Sequence, residues 1–545
     1  MAPGDIHDDH TFPPGTVTLE DLQSRDEIVR TILQPRPSRD PNDPLNWPLW
    51  RKYLNFGLVC YYTLVVNAFI TVTIPTWAPM NEELGFSYQV LNNSYAVGCA
   101  GVAIGAVLLT PFALKFGRRL IYVVSTTLQL AICIWEAKLQ TPVDLYLVTF
   151  LSCFLGALSE VIIQMTIADV FFIHQRGAMN SFFIFCQTIG TAVAPVIAGY
   201  ITDGLGWRAV WWAMAIMLGL GFLMFIFLYE ETKFLPILTE GVQPEAEQEV
   251  STTQKDMEEK TAEQTSKRKT SFDDMPPLYD IDIDETMRPM TYRQRLFQFA
   301  ISSGSISELL LHTYQPFHVM FCIPGILYMA VTYGVTLAIN TIIGTNIAEF
   351  MPSPPYNFSP GAVGLMIMAV FAGTVIGMVI VGPTCDRLIL YLAKRNGGVY
   401  EPEMRLWMLV CFIPLIPAGI MIAGCGFRYS LPWPVLAVGF GVASAGFAPA
   451  NSIALTYVTD AYTEVLGDAM VGITFVRNLP STFLPFFLLP WINRMGVLNV
   501  YIMVAVLSTA IFMITFVFIY YGKRIRIATT NRYRWFAARQ FKGRG

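Results

Sequence analysis

Twelve apolar runs, each long enough to cross a bilayer, dominate this chain and leave it few ways to fold. A crossing helix takes about 20 mostly apolar residues, and within lipid it must satisfy its own backbone N–H and C=O groups. The first six runs are Tyr53–Trp77, Ser94–Leu114, Leu120–Ala137, Val143–Asp169, Ala178–Thr202 and Trp207–Tyr229. The last six are Phe317–Thr345, Pro360–Cys385, Leu406–Gly424, Pro434–Thr459, Ala469–Ile492 and Val500–Tyr521. With 54% hydrophobic and 14% charged residues, the chain has too little polar surface for a soluble globule of 545 residues. The expected fold class is an all-α membrane protein: twelve transmembrane helices in two pseudo-symmetric bundles of six.

Charge orders these runs. The expected plan is a tail at 1–52, a six-helix bundle at 53–230, a linker at 231–316, a second bundle at 317–521 and a basic tail at 522–545. With the N-terminus in the cytoplasm, the short cytoplasmic loops carry Lys115, Arg118, Arg119, Arg176, Arg387, Lys394, Arg395 and Arg405. The final tail adds Lys523, Arg524, Arg526, Arg532 and Arg534. The other side holds only Lys138, Arg208, Arg428 and Arg494, so the excess of basic residues places both termini inside. Two Asn-x-Ser sequons, at Asn92 and Asn357, fall on that outer side as candidate glycosylation sites. The linker mixes Glu, Lys, Thr, Pro and Gln without apolar periodicity and is expected to be largely disordered, its end at Tyr292–Phe299 forming either a short surface helix or plain linker.

Several classes drop out. The net charge of −4 gives no reason to expect nucleic-acid binding. The nine cysteines lie in or beside apolar runs with no Cys-x-x-Cys pair, so neither a metal site nor a disulfide framework is expected. The first 52 residues contain no apolar signal-peptide core. No nucleophile–base pair or phosphate-binding loop points to an enzyme or an ATP-driven pump, and no cofactor is expected. Six spans, a linker and six spans suit a carrier whose halves rock about a central cavity.

Loop motifs give that plan a family likeness. Lys115-Phe-Gly-Arg-Arg119 and Gly382-Pro-Thr-Cys-Asp386-Arg387 resemble the Gly-x-x-x-Asp-Arg-x-Gly-Arg-Arg loop of the major facilitator superfamily. Gly190 to Gly199, with Pro195, is similar to the fifth-span signature of its drug:proton antiporter branch. Asp43-Pro-Leu-Asn-Trp-Pro48, Asp169 to Gly177, Asn396 to Glu403 and Thr456 to Tyr462 resemble a fungal subgroup that includes organic-cation and polyamine carriers and secondary-metabolite exporters. Two positions depart from the pattern. Leu114 stands where the family has an Asp that helps hold the outward-open form, and Ser152 stands where many antiporters have an Arg linked to proton transfer.

Glu160 stands out within the fourth run. A carboxylate at the centre of a membrane helix costs about 2.5–3.5 kcal/mol on insertion scales, so it usually has a partner or a task. Glu160, Gln164 and Gly156 share a helix face, and the resemblance puts that helix on the cavity. Glu160 is expected either to bind a cationic substrate or to carry the coupling proton; the alternative is a packing role inside the bundle. Asn67 and Thr71, then Tyr333, Thr336 and Asn340, then Ser444 and Asn451, are the candidate cavity groups of helices 1, 7 and 10, with Asn67, Tyr333, Asn340 and Asn451 joining Glu160 and Gln164 as the favoured substrate contacts. Arg477, deep in helix 11, needs an anion, and Asp460, Glu464 and Asp468 are the expected partners in a cytoplasmic gate, with a substrate site the alternative. Arg118, Arg119, Asp169, Asp386 and Arg387 are the other gating candidates, His174 is expected to be structural, and Pro195 and Gly199 serve helix packing.

The expected function is secondary active transport, with proton-coupled efflux of a toxin, drug or secondary metabolite ahead of proton-coupled uptake of an organic cation such as a polyamine. A non-transporting nutrient sensor is a distant third reading. Expected partners are a small-molecule substrate, protons and the lipid bilayer, with the chain monomeric in the plasma membrane or, alternatively, the vacuolar membrane.

Overall fold

The computed structural model describes residues 16–18, 40–233, 290–296, 306–462 and 465–537. The N-terminal half contains α1 (Leu49–Thr71), α2 (Trp77–Leu84), α3 (Tyr88–Phe116), α4 (Arg118–Ala137), α5 (Pro142–Gly156), α6 (Leu158–Val170), α7 (Ile173–Leu205) and α8 (Trp207–Phe227). Short helices α9 (Tyr292–Leu296) and α10 (Ile306–Cys322) lead into α11 (Pro324–Phe350), α12 (Pro360–Arg395), α13 (Leu406–Phe412), α14 (Leu415–Arg428), α15 (Trp433–Ala461), α16 (Leu466–Met495), α17 (Val497–Met513) and α18 (Thr515–Ala537). Among the described residues, twelve helical stretches are long and apolar enough to cross a membrane, as the sequence predicts. Arg118, Arg405 and Arg526 mark one end of the bundle, its basic face.

Local chemistry explains where the runs break. Pro324 disfavours helical backbone at the residue before it. Ile323 accordingly turns extended (φ −117°, ψ 97°). The run read as Phe317–Thr345 is therefore the end of α10 followed by α11, which continues to Phe350. The fourth run divides at Ala157 into α5 and α6, and this places Glu160 in the first turn of α6. A helix N-terminus favours an anion there. The ninth run divides beside Pro414 into α13 and α14.

The polar segments flanking the bundles are partly folded. Asp43 accepts a hydrogen bond from Leu45 N at 2.9 Å and caps the turn Pro44–Asn46, and Lys52 Nζ donates to Leu45 O at 2.8 Å. Val17–Thr18 (β1) pairs antiparallel with Val399–Tyr400 (β2) in the second half. Helix α9 is tied to the first half by its Tyr292 hydroxyl, which donates to Phe227 O, and by Arg295, 3.6 Å from Glu230. Residues 297–299 and most of the linker expected to be disordered lie outside the described residues.

The halves meet where α3 packs on α16 and α7 on α12. Gly199 makes the second crossing close: a Cβ there would lie 2.8 Å from Gly361 Cα, and one on Gly364 would lie 3.0 Å from Val196 Cα. At the face opposite the basic one, Asp203 Oδ2 accepts from Gly361 N at 2.9 Å and from the Ser359 hydroxyl at 3.2 Å, and Gln89 Nε2 donates to Phe486 O at 3.3 Å. The Pro195–Gly199 stretch thus packs between the halves. One sequon needs correcting. Asn92 lies inside α3 and is 0% exposed, so it cannot take a glycan, because the apolar run extends toward the N-terminus and swallows it. Asn357 is exposed in the loop before α12.

Candidate functional site

A cavity of ≈ 240 Å³ lies between the halves, lined from α1 to α8 and from α11 and α16. Glu160 of α6 and Arg477 of α16 form an ion pair across it, joining one half to the other. Sequence position explains how they meet. Glu160, three residues past the division at Ala157, lines the cavity. Gly334 of α11 lets α16 come close, since a Cβ there would lie 3.2 Å from Arg477 Cα. That approach sets the Arg477 guanidinium over the Tyr333 ring, 4.7 Å from its centroid. Arg477 is therefore not paired with Asp460 or Asp468, as its sequence position suggested. Both of those acids have other partners nearer the basic face, and Glu464 lies outside the described residues.

Of the other expected cavity groups, Asn67, Thr71, Tyr333 and Asn340 line the space. Asn67 donates to Thr63 O at 2.9 Å and accepts from Gln187 Nε2 at 3.4 Å, which holds the amide in place. Asn451 does not line the cavity. Its side-chain oxygen accepts from the Thr336 hydroxyl, cross-linking α15 to α11. Ser444 is also spent inside its helix, donating to Phe440 O at 2.7 Å. Helix α15 was expected at the cavity and adds none of the lining residues. Ser152, at the position of the family's Arg, does line it. The side chains of Gln164, His174, Leu114 and Asp386 lie outside the described residues.

The gating candidates form matched clusters on the basic face. In the first half, Arg118 Nε sits 3.1 Å from Asp169 Oδ2. In the second, Arg405 Nε donates to Asp460 Oδ2 at 2.5 Å and to the Tyr400 hydroxyl at 3.0 Å, and that hydroxyl donates to Asp460 at 2.5 Å. Burial, then the neighbouring Asp460 charge, pushes the Tyr400 hydroxyl up in pKa. Gln315 Nε2 donates to Asp468 at 2.8 Å, and Arg387 is exposed. Arg119 Nη2 donates to Ile226 O at 2.8 Å.

Glu231, which the sequence reading did not single out, completes the first cluster. Its carboxylate accepts from Arg118 N at 2.9 Å and Arg119 N at 3.1 Å, capping α4. Gly117 permits this with φ +88°, and a Cβ there would sit 2.5 Å from Glu231 Oε2. With Leu114 at the family's Asp position, this loop draws its carboxylate from the end of the sixth span. The signal was the Glu230-Glu231 pair immediately after that span.

Lys233 beside this cluster is lowered to about 8 by burial and then by the nearby Arg118 charge. The fold favours its neutral form, so its contribution to stability is unfavourable below that value and is relieved as pH rises toward 10.5. At pH ~8 about half of Lys233 is neutral, against well under ~1% of an ordinary lysine. Lys233 is therefore expected to acetylate ahead of the exposed Lys138 in peptide mapping at that pH. Equal rates for the two amines would contradict the assignment.

Comparison with known proteins agrees with this architecture. The family model described as Major Facilitator Superfamily matches residues 56–485. The chain is 29% identical over 524 residues to an uncharacterized MFS-type transporter of Schizosaccharomyces pombe, covering 93% of this chain and 90% of that one. It is 28% identical over 543 residues to Protein HOL1 of Saccharomyces cerevisiae, with 93% and 91% covered. It is 26% identical over 494 residues to Efflux pump radE of Floropilus chiversii, with 89% and 83% covered. These relatives are fungal, in line with the subgroup the loop motifs resemble. The crystal structure of a POT family transporter in complex with a thioalcohol-conjugated peptide superposes with a TM-score of 0.60 at 12% identity, covering 89% of this chain and 99% of that one. That likeness concerns the fold.

Proposed function

The chain belongs to the major facilitator superfamily, a membrane transporter of twelve spans, and from that premise we propose that it exports a small organic cation in exchange for protons. The observation that carries this reading is the Glu160–Arg477 pair, which bridges the halves inside the cavity. The cavity offers two carboxylates, Glu136 and Glu160, against one guanidinium. That balance leaves room for one added positive charge. Tyr95, Trp77 and Tyr333 supply aromatic faces, and Asn67, Gln187 and Asn340 supply orienting amides.

The pair also supplies a switch. A cationic substrate that engages Glu160 weakens its hold on Arg477, and with it one tie between the halves. Arg477 retains Tyr333 beneath it when Glu160 is engaged elsewhere. Arg118–Asp169 and Arg405–Asp460 stabilise the corners of the two halves on the face proposed to be cytoplasmic. Export is favoured because one of the relatives is named an efflux pump. Uptake of an organic cation uses the same charges and is the competing direction. Plasma membrane is the proposed location, with the chain acting as a monomer.

Ethidium and spermidine serve as probes in yeast cells with and without the protein. Lower ethidium retention that a protonophore reverses is the expected result. Raised spermidine uptake would reverse the direction, and no effect on either probe would count against a cationic substrate.

A further inference from the structure

A second acid in the cavity was not among the sequence candidates. Glu136 lies in the last turn of α4 and is 1% exposed. It lines the cavity together with Leu145 of α5 and Trp211 of α8. Among the described residues its Oε2 has no hydrogen-bond partner, and no cation stands within ion-pair distance of the carboxylate. The titratable groups facing it are thiols, Cys133 one turn back on α4 and Cys153 of α5, the latter within electrostatic reach of Glu160 as well. Tyr95 and Cys99 of α3 line the same cavity. Lys138, two residues on, is exposed and makes no ion pair with it. An ionised carboxylate here would lack a counter-charge, would be desolvated, and would lie at the negative end of the α4 dipole.

We propose that Glu136, rather than Glu160, is the site that takes up the coupling proton. The proposal rests on the transport reading above and divides its labour. Glu160 is held by Arg477 and answers to the cation, whereas Glu136 has nothing else to neutralise it. A proton from the cavity adds to the carboxylate and leaves by the same route when the cavity faces the other side. The charges set the coupling. With Glu136 ionised the three groups sum to −1 and favour an added cation. With Glu136 protonated they sum to zero and favour its release. Proton and cation therefore exclude each other, which is the requirement for antiport.

The test uses the full-length protein in nanodiscs and reads protonation directly. Acid-minus-alkaline infrared difference spectra are expected to show a carboxylic acid C=O band that disappears in Glu136→Gln, persists in Glu160→Gln and returns, shifted, in Glu136→Asp. Proton-gradient-driven ethidium flux in proteoliposomes is expected to be lost in Glu136→Gln and regained in Glu136→Asp. A band that survives Glu136→Gln, or gradient-driven flux that does, overturns the proposal. Failure of the transport reading shows separately, as absence of ethidium counterflow in the unsubstituted protein, and leaves the infrared band to decide Glu136.

Discussion

Glu160→Gln is expected to abolish transport and also to loosen the protein, and the two effects can be separated. Gln keeps the shape of Glu but leaves the Arg477 guanidinium in the cavity without its anion. Removing one member of a fully buried pair costs about 3–5 kcal/mol. Glu160 and Arg477 keep 22% and 13% of their side-chain surface open to the cavity. Solvent and the remaining Tyr333 contact soften the loss, so about 1–3 kcal/mol is expected in denaturant or thermal unfolding. The double variant Glu160→Gln, Arg477→Gln removes both charges and is expected to recover most of that stability. It should not recover flux, since the cavity then has no acid at its centre. If Glu160→Gln transports ethidium at the unsubstituted rate, Glu160 has no role in transport. If the double variant is less stable than either single one, the pair is not the tie between halves that its geometry indicates.

Much of this was legible in the sequence, for reasons that differ by residue. Twelve spans follow from length and hydropathy alone, because lipid leaves a single chain so few solutions. Glu160 stood out because a charge in an apolar run is expensive wherever its partner lies. That partner, Arg477, is 317 positions away. Spacing along the chain reports which residues share a helix face but not which helices meet, so the nearer acids in sequence, Asp460 and Asp468, were the natural choice. Glu136 was hidden by position. It ends a predicted span, where polar residues usually meet water, yet it is 1% exposed and lines the cavity with Trp211 and Leu145. Asn451 failed for the opposite reason. An amide inside a membrane helix serves ligands and helix contacts equally well, and its hydrogen bond to Thr336 is a tertiary fact. Asn92 shows the same limit at a boundary, since a sequon cannot report its own depth.

The second large effect is expected at a residue that the sequence offered only as a topology charge. The last candidate span, Val497–Ala537, covers 41 residues. At about 1.5 Å per residue it would reach ~60 Å, roughly twice the hydrocarbon thickness. Its later part must run past the membrane on the basic face. There Arg526, its side chain 0% exposed, meets Glu403 of the Pro402–Arg405 turn in a two-pronged bond at 2.7 and 2.6 Å. Gly522 makes the approach possible, since a Cβ on it would stand 2.7 Å from Glu403 Cγ. Arg526 Nη1 also donates to the Thr16 hydroxyl at 3.2 Å, beside the β1–β2 pairing. Arg526→Ala strands a buried carboxylate and is expected to cost about 3–5 kcal/mol, enough to collapse expression of a marginally stable protein. Arg526→Lys is expected to rescue little, because an ammonium cannot reproduce the planar fork. Arg526→Met with Glu403→Leu removes both charges and keeps volume, so it should be more stable than Arg526→Ala. Folded yield by fluorescence-detected size exclusion ranks the three variants. Normal yield from Arg526→Ala would mean that α18 holds its place through His318, Trp535 and Phe536, which pack together at ring distances of 4.9 to 6.1 Å, and that the ion pair adds little to it.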